Sequence, residues 1–418
     1  LPSSSHGAEV IYQNVSGWQP SSLVIEWEKS LLAAWSDVPD CRSDTGMCPN
    51  CGMGAIVVER PSVRDVEGDE EYYHEEGLLS YRFYSVGMDG KGPPWNYLDE
   101  DTFEIASYTK VVTAFALQVM VSEGRVRPDD TIDRYLPECD WNEALSGDEV
   151  SSITLDELVL QISGLPAQPP NRAETGSPGA NPFGGYTVDM LCRSLLDLPG
   201  LATRGRFSYS NYGYGILGYV LTKAENPSDP PSYEDLVRDK ILLPLGMNST
   251  VVTFDDDRAA AGCGRGLRRN KPSSRRGKYG VLQGNGALRS TLRDMGKFFA
   301  AMFLSGRGEW PPHNKEDCSP LGADGAEQAP PPRALGDAFL DVFDARGVLE
   351  ACTCVSDWCE GWLCPQPNPV REMINPGGVT TYTSGLKLGY RKSGDTDGFS
   401  VQGTYSWYKR RAVFAVDT

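Results

Sequence analysis

The sequence predicts an α+β fold in which an antiparallel sheet, formed from both chain ends, is flanked by helices and carries an inserted all-α domain. Runs rich in β-branched and aromatic residues lie near both ends of the chain, at 54–60, 78–88, 386–392, 399–408 and 412–416. Between residues 104 and 306, apolar side chains instead recur with helical spacing. Strands at both ends with helices between them indicate one sheet built from the two ends.

Local patterns define the individual elements. An amphipathic helix is expected at 21–38, where Leu23, Leu31 and Trp35 share a helical face behind a serine pair that can cap it. The acidic stretch between the first two strands is typical of a loop. The clearest helical segments are 104–123, 155–162, 187–196, 212–224, 233–241 and 289–304.

Three parts of the chain are predicted. Residues 1–103 and 381–418 form the sheet domain, and residues 104–306 form the helical domain. Residues 307–380 break the periodicity with a proline triplet, many glycines and five cysteines. This composition indicates a long insertion held by disulfides.

Composition excludes several classes of function. The 418 residues are 40% hydrophobic and 23% charged, and no run approaches the roughly 18 to 20 apolar residues of a membrane-spanning helix. A formal charge of -18 repels a phosphate backbone, so nucleic-acid binding is not expected. For the basic segment 265–278, a solvated loop is the simpler interpretation and a binding patch the alternative.

Eleven cysteines, most of them clustered, favour disulfides and an oxidising compartment. One cluster holds Cys41, Cys48 and Cys51, and the other lies at 352–364. Cys48 and Cys51 also form a Cys-x-x-Cys pair of the kind that binds zinc, but no second pair lies within about 20 residues. No metal site and no cofactor is therefore predicted.

A secreted or lumenal location follows from the cysteines. Two Asn-x-Ser/Thr sequons, at Asn14 and Asn248, add little, because about that many occur by chance in such a chain. The sequence starts at Leu1 without a signal-peptide pattern, which fits either a processed mature protein or a trimmed one.

The chain lacks the parts of a Ser-His-Asp triad. Its three histidines, His6, His74 and His313, lie in a polar terminus, the acidic stretch and the predicted insertion, and no Gly-x-Ser-x-Gly sequence occurs. A hydrolase built from this sequence needs lysine or tyrosine as its base.

Ser107 and Lys110 form the most informative Ser-x-x-Lys pair. Two other pairs start at Ser384 and Ser406, in predicted strands, where residues i and i+3 point to opposite faces. Ser107 lies at a predicted helix start, where free N–H groups favour negative charge, and Lys110 enters an apolar helix that disfavours its charged form. On its own, the pair is better explained by a helix-capping serine and a lysine whose amine reaches water.

Two further motifs favour the catalytic interpretation. Tyr209 begins a Tyr-Ser-Asn motif, whose tyrosine can share a proton with a lysine and whose amide can hold a substrate carbonyl. Lys392 begins a Lys-Ser-Gly motif on a predicted strand, with a fixed charge and a glycine that lets substrate approach. Taken singly, Tyr209 would be assigned to an aromatic core and Lys392 to a solvated strand face.

In this order and spacing, the three motifs resemble those of the serine β-lactamase and penicillin-binding-protein family, especially its class C β-lactamase, D-peptidase and family VIII esterase branch. The likeness covers about residues 54–310 and 384–418. It includes the phrases GRVRPDDTIDRYLPE at 124–138, ITLDELVLQISGLP at 153–166 and LLPLGMNST at 242–250. The resemblance implies a β-lactamase/transpeptidase-like fold.

The resemblance also implies roles for the motif residues. Ser107 would be the acylated nucleophile, Lys110 its proton acceptor and Tyr209 a proton shuttle. Asn211 would contact Lys110 and the substrate, and Lys392 would be the strand lysine beside the cleft. The other expected substrate-binding residues are Ser393, Gly394 and Asp395.

An oxyanion hole is part of the same expectation. In this family the backbone N–H groups of the nucleophile and of the residue after the strand motif form it, and here these residues are Ser107 and Asp395. Such donors contribute roughly 3 to 4 kcal/mol each at a tetrahedral intermediate.

The chain departs from the family at several positions. Its strand motif is Lys-Ser-Gly where the lactamases usually have Lys-Thr-Gly, which keeps the hydroxyl and the charge. Gln161 stands where histidine is usual, outside the expected catalytic set. The insertion at 307–380 has no counterpart, and the sequence ends at Thr418, where the family normally adds a helix.

The leading hypothesis is a serine hydrolase that cleaves an ester or amide through an acyl-enzyme on Ser107, as a D-peptidase, an esterase or a β-lactamase does. Its substrate would be a small molecule or peptide, and Lys392 favours one that bears a carboxylate. The alternative is a catalytically idle extracellular binding protein with the cysteine-rich insertion as its contact surface. A zinc or redox protein built on Cys48 and Cys51 is a third hypothesis.

Overall fold

The computed structural model of the chain describes residues 52–59, 62–67, 70–75, 80–87, 102–175, 183–253, 267–268, 271–272, 279–304, 373–375, 379–384, 387–395, 400–406 and 411–417. The helix expected at 21–38 and both predicted cysteine clusters lie outside these residues.

Strands from both ends of the chain form one seven-stranded sheet. The described strands are β1 (Gly52–Glu59), β2 (Ser62–Glu67), β3 (Glu70–Glu75), β4 (Ser80–Gly87), β5 (Phe103–Glu104), β6 (Leu267–Arg268), β7 (Lys271–Pro272), β8 (Arg289–Ser290), β9 (Met373–Asn375), β10 (Val379–Ser384), β11 (Lys387–Asp395), β12 (Ser400–Ser406) and β13 (Arg411–Asp417). The order in the large sheet is β4-β1-β13-β12-β11-β10-β9, with every neighbouring pair antiparallel. The predicted α+β fold, with its sheet from both ends, is confirmed.

The acidic stretch that was expected to be a loop contains a hairpin instead. β2 pairs with β3 in antiparallel register, with Glu67 opposite Glu70, and His74 lies on β3. Valine and tyrosine side chains give both runs β propensity, which outweighs their acidic residues. In the sequence, Gly68 and Asp69 stand between the two runs, and a Gly-Asp pair is typical of short hairpin connections.

The helices follow the predicted segments closely. They are α1 (Thr109–Ser122), α2 (Asp148–Ser151), α3 (Leu155–Val159), α4 (Val188–Leu196), α5 (Asn211–Glu225), α6 (Tyr233–Val237) and α7 (Leu292–Leu304). Two of the predicted segments begin differently. The segment 104–123 starts with the end of β5 and a 3-10 turn, and 289–304 starts with β8. The segment 233–241 continues from α6 into one π-helical turn, Arg238–Leu242.

The domain boundaries stay a prediction. β9 and the first residues of β10 belong to the sheet, although they fall in the range 307–380 that was assigned to the insertion. Their short length and the neighbouring Gly377 and Gly378 hid them from a periodicity argument.

An aromatic cluster joins the sheet to the helices. Phe414 of β13 stacks on Phe103, and Tyr108 meets it edge-on with ring centroids 5.2 Å apart. Phe298 and Phe299 of α7 contact Tyr108 from the helical side. These buried rings anchor the start of α1 against the sheet.

A disulfide links Cys139 to Cys192 and ties α4 to the segment that precedes α2. Sequence reasoning expected disulfides in the two cysteine clusters and did not single out this pair, whose members are 53 residues apart. Within the described ranges, no helix is both long enough and apolar enough to cross a membrane.

Candidate active site

Ser107 lies in a 3-10 turn, Ala106–Tyr108, directly before α1. The turn is held from both sides: the Ile105 N–H donates to the Leu288 carbonyl at 3.0 Å, and the Leu288 N–H donates to Thr109 Oγ1 at 3.1 Å. Ala106 has a φ of 48°, in the left-handed region that non-glycine residues seldom adopt. Ser107 itself is partly exposed at the N-terminal end of the helix.

Lys110 lies one turn below Ser107 and is fully buried. Its Nζ donates to Ser107 Oγ at 3.0 Å, to Asn211 Oδ1 at 2.7 Å and to the Asn285 carbonyl at 2.6 Å. The predicted contact between Asn211 and Lys110 is therefore present. Three oxygens from three separate parts of the chain surround one amine.

Tyr209 also contacts Ser107. Its phenol donates to Ser107 Oγ at 2.7 Å, and its ring centroid lies 4.9 Å from Lys110 Nζ. Tyr209 is partly exposed, whereas Tyr212 and Tyr214, which follow it, are fully buried. Ser107 Oγ thus lies within hydrogen-bonding distance of an amine and of a phenol.

The Tyr-Ser-Asn motif begins α5. Ser210 caps this helix: its Oγ accepts from the Gly213 N–H at 2.9 Å and donates to the Pro166 carbonyl at 2.7 Å. The Asn211 N–H donates to the Ala167 carbonyl at 2.9 Å. The motif is thereby docked onto the segment that follows α3.

Close packing of two glycines brings the third oxygen to Lys110. Gly218 of α5 lies so near Gly284 that a Cβ at Gly218 would come within 2.7 Å of the Gly284 Cα. The Gly284 carbonyl also accepts from Thr113 Oγ1 of α1 at 2.7 Å. The turn Gln283–Asn285 is held between α1 and α5, which places the Asn285 carbonyl on Lys110.

Buried polar groups support this arrangement. Glu104 and Arg289 form an ion pair at 2.6 Å where β5 meets β8, and both side chains are almost fully buried. Burial raises the pKa of Tyr108 and of Tyr233, so both phenols stay protonated at neutral pH. The Tyr233 phenol shares a hydrogen bond with Thr113 at 2.7 Å.

The Lys-Ser-Gly motif lies on β11, as the sequence predicted. Lys392, Ser393, Gly394 and Asp395 pair with β12, from Lys392 opposite Gly403 to Asp395 opposite Ser400. β11 runs beside the Ser107 turn, with Cα atoms of the two elements within 8 Å of each other. The backbone topology therefore brings β11, the strand that carries this motif, beside the turn that contains Ser107.

Sequence reasoning did not find the Asn285 carbonyl or the contacts of Gln161. The glycines that flank Asn285 were a usable signal, since a Gly-Asn-Gly sequence permits close backbone approach. Gln161 was assigned outside the catalytic set, yet its Oε1 accepts from the Ser210 N–H at 2.8 Å. In the part of the chain that the structure describes, no group of three or more His, Cys, Asp or Glu side chains could hold a metal ion.

Comparisons with known proteins agree with the geometry. The beta-lactamase family profile matches residues 63–339. A putative D-alanyl-D-alanine carboxypeptidase of Escherichia coli K12 is 32% identical over 155 residues, which are 36% of this chain and 33% of that protein. Beta-lactamase-like protein 2 of Dictyostelium discoideum is 29% identical over 186 residues, which are 44% of this chain and 32% of that protein. The chain thus spans about a third of the length of these curated relatives.

Solved structures share the fold over nearly the whole chain. A beta-lactamase/D-alanine carboxypeptidase from Pseudomonas syringae has a TM-score of 0.61 at 16% identity, covering 95% of this chain and 94% of that one. A class C beta lactamase from Rhodobacter sphaeroides has a TM-score of 0.55 at 17% identity, with the same coverage of 95% and 94%. With a family match over more than half of its residues, this chain belongs to the beta-lactamase family.

Proposed function

We propose that this protein is a serine hydrolase that forms an acyl-enzyme on Ser107 and cleaves an ester or an amide. The observation that carries the proposal is the position of Ser107 Oγ, 3.0 Å from the Lys110 amine and 2.7 Å from the Tyr209 phenol. A serine hydroxyl is a weak nucleophile until a neighbouring base removes its proton. Both neighbours can take part in that transfer.

The surroundings of Lys110 favour its action as the base. The Asn285 carbonyl and the Asn211 amide oxygen only accept hydrogen bonds, so they occupy two N–H groups of the amine. In the neutral amine, the nitrogen lone pair then points at the third neighbour, the Ser107 hydroxyl. Lys110 takes the hydroxyl proton as Oγ attacks the substrate carbonyl.

Tyr209 completes the proton path. As the tetrahedral intermediate collapses, its phenol donates a proton to the leaving nitrogen or oxygen and regains one from Lys110, which lies 4.9 Å from its ring centroid. Water then attacks the acyl-enzyme, giving up a proton to the same pair, and the Ser107 oxygen leaves as a hydroxyl. Atoms and charge balance over the cycle without a cofactor.

The oxyanion would be stabilised at the start of α1. Ser107 lies at the N-terminal end of this helix, where free N–H groups and the helix dipole favour negative charge. The backbone of Asp395 on β11, a strand that lies beside the turn, supplies the second donor in the proposal.

A carboxylate-bearing substrate fits the strand motif best. Lys392 lies on β11 beside the nucleophile turn, in a chain with a net charge of -18, so a fixed cation there has a clear use in binding an anionic group. The carboxyl terminus of a peptide carries such a group, and the Escherichia coli relative is named a carboxypeptidase. Simple neutral esters lack it.

Secretion or lumenal location is part of the proposal. The disulfide between Cys139 and Cys192 supports it, because such bonds persist mainly in oxidising compartments.

A fluorophosphonate probe tests the hydrolase proposal directly. The phosphorus should form a bond to Ser107 Oγ with loss of fluoride, and Ser107→Ala should take up no label while keeping its melting temperature within a few degrees. A catalytically idle binding protein would show no labelling of either form. Labelling that persists in the alanine variant would place the nucleophile elsewhere.

Lys392→Ala tests the substrate class. A charge-assisted hydrogen bond contributes about 1.5 to 3 kcal/mol, so kcat/KM on a carboxylate-bearing substrate should fall about ten- to a hundredfold. A neutral nitrophenyl ester should lose much less. Equal losses on both substrates would assign Lys392 to the proton network, and no loss on either would remove it from the site.

A further inference from the structure

We infer that Gln161 is a positioning residue that holds Tyr209 where its phenol contacts Ser107. This inference rests on the proposed function. The two oxygens of Gln161 bind the residues directly before and after Tyr209. The main-chain carbonyl accepts from the Ser208 N–H at 2.9 Å, and the side-chain Oε1 accepts from the Ser210 N–H at 2.8 Å. The backbone on either side of Tyr209 is thus bound to one residue.

The backbone of Gln161 is strained, with a φ of 60°. Among the described residues, Ala106 and Gln161 are the only non-glycine residues with a positive φ. Ala106 precedes Ser107, and Gln161 holds Tyr209. Strained conformations persist only where the surrounding structure demands them, and they concentrate at functional sites. One strained residue thus precedes the nucleophile, and the other binds the backbone on both sides of Tyr209, whose phenol contacts Ser107 Oγ.

The side-chain amide of Gln161 has a single use within the described structure. Gln161 is buried, and its Nε2 has no hydrogen-bond partner among the described residues, although the atom is shielded from solvent. A buried amide donor without a partner lowers stability. Among the described residues, the polar contact of this side chain is therefore the hydrogen bond that its Oε1 accepts from the Ser210 N–H.

The position of the Tyr209 phenol matters because this group contacts Ser107 Oγ directly. The Tyr209 side chain is partly exposed, and its phenol donates a hydrogen bond to Ser107 Oγ at 2.7 Å. If the Ser210 N–H loses its acceptor, the residues that flank Tyr209 gain freedom and the phenol spends less time on Ser107. Misplacement of a reacting group by about 1 Å can cost a hundredfold in rate.

The test compares labelling rates with a fluorophosphonate in two backgrounds. Gln161→Asn keeps an amide and suits the left-handed backbone, but it is one methylene too short to reach the Ser210 N–H. It should slow labelling of Ser107 about ten- to a hundredfold, and the Ser210 N–H left without an acceptor should also lower the melting temperature. In a Tyr209→Phe background the same change should slow labelling less than about twofold, because the group that it positions is already gone.

Two further variants keep the test decisive. Gln161→Met removes the acceptor and the unpaired donor together, and should repeat the result if Gln161→Asn does not fold. Tyr135→Phe removes a buried hydrogen bond to Asp130, 2.6 Å long, and should lower the melting temperature without changing the labelling rate.

Equal losses from the Gln161 changes in both backgrounds, or a wild-type labelling rate in Gln161→Asn, would overturn the inference and leave the hydrolase proposal intact. A wild-type protein that takes up no label would contradict both.

Discussion

The two groups that contact Ser107 Oγ are held in place by different means. Lys110 lies on the regular helix α1, is fully buried and meets oxygens from three parts of the chain. Tyr209 is partly exposed, precedes α5 and depends on backbone contacts to the segment after α3. The i, i+3 spacing on one helix is enough to place the lysine near the serine. The tyrosine reaches the serine only when the segment before α5 packs on the segment after α3.

Lys110→Met removes the buried amine on α1, and we expect it to have the largest effect on the acylation rate. General-base catalysis contributes about a hundred- to ten-thousandfold, so acylation of Ser107 should slow by about a thousandfold. Methionine fills a similar buried volume without an amine. Stopped-flow or discontinuous assays of acyl transfer measure the loss.

Lys240→Met is the matched control. Lys240 is also mostly buried, but it pairs with Glu123 at 2.7 Å and Glu225 at 3.1 Å and has no contact with Ser107. It should change the acylation rate less than about twofold, as expected for a residue away from the reacting groups. A small effect of Lys110→Met would leave Tyr209 as the base.

Tyr209→Phe removes the phenol on the loop side and should slow acylation about a hundredfold, with little change in KM. The ring remains to fill its place, and only the hydroxyl that lies 2.7 Å from Ser107 Oγ is lost. The pH dependence of kcat should change shape as well. If the pH profile is unchanged and the rate loss is slight, the proton path does not run through Tyr209.

The same contrast explains what the sequence could predict. The i, i+3 spacing of Ser107 and Lys110 and the strands at both chain ends are local patterns. The structure places the Lys110 amine 3.0 Å from Ser107 Oγ, and the sheet built from both chain ends is confirmed. The hairpin β2–β3 was predicted as a loop, because its acidic residues masked the β-forming ones. The contacts of Gln161 and of the Asn285 carbonyl join residues 49 and 175 positions apart, and no local pattern records such pairings.

Gly218→Ala should displace the Asn285 carbonyl, which accepts a hydrogen bond from Lys110. An added Cβ would meet the Gly284 Cα at 2.7 Å, which forces the turn with Asn285 away from α5. Overpacking of this kind costs about 1 to 3 kcal/mol, measured by urea unfolding. Acylation should slow in parallel, because the Asn285 carbonyl moves off Lys110.

Gly213→Ala is the control in the same helix. A Cβ there would lie 3.4 Å from Ser210 Oγ, an ordinary contact distance, so alanine should be neutral or raise stability through its better helix propensity. Equal stability of the two alanine variants would show that the Gly218–Gly284 contact does not constrain the turn.

Glu157→Gln should have the smallest effect and acts on the loop side. Arg204 donates to both carboxylate oxygens of Glu157, at 2.7 and 2.8 Å, and ties the chain before Tyr209 to α3. Burial alone would raise the pKa of Glu157, but the hydrogen bonds from Arg204 and the Thr154 backbone bring it below its usual value. At neutral pH the substitution should cost about 1 kcal/mol.

The pH dependence gives the sign of this interaction. Because the pKa is lower in the folded state, the carboxylate stabilises the fold above the unfolded pKa of about 4.3, and this stabilisation is lost as the pH falls through the folded pKa. Wild type should therefore lose more stability than Glu157→Gln between pH 5 and pH 3. Parallel curves would exclude a contribution of the Glu157–Arg204 pair.

Mass spectrometry of the protein mixed with a small panel of acyl donors tests the central claim most directly. The panel holds a penicillin, a peptide that ends in D-alanine and a nitrophenyl ester, and the reaction is quenched in acid at short times. At least one donor should leave its acyl mass on the peptide that contains Ser107, and Ser107→Ala should retain none. Turnover of a donor by Ser107→Ala at the wild-type rate, with no mass retained on Ser107 of the wild type, would contradict the acyl-enzyme proposal.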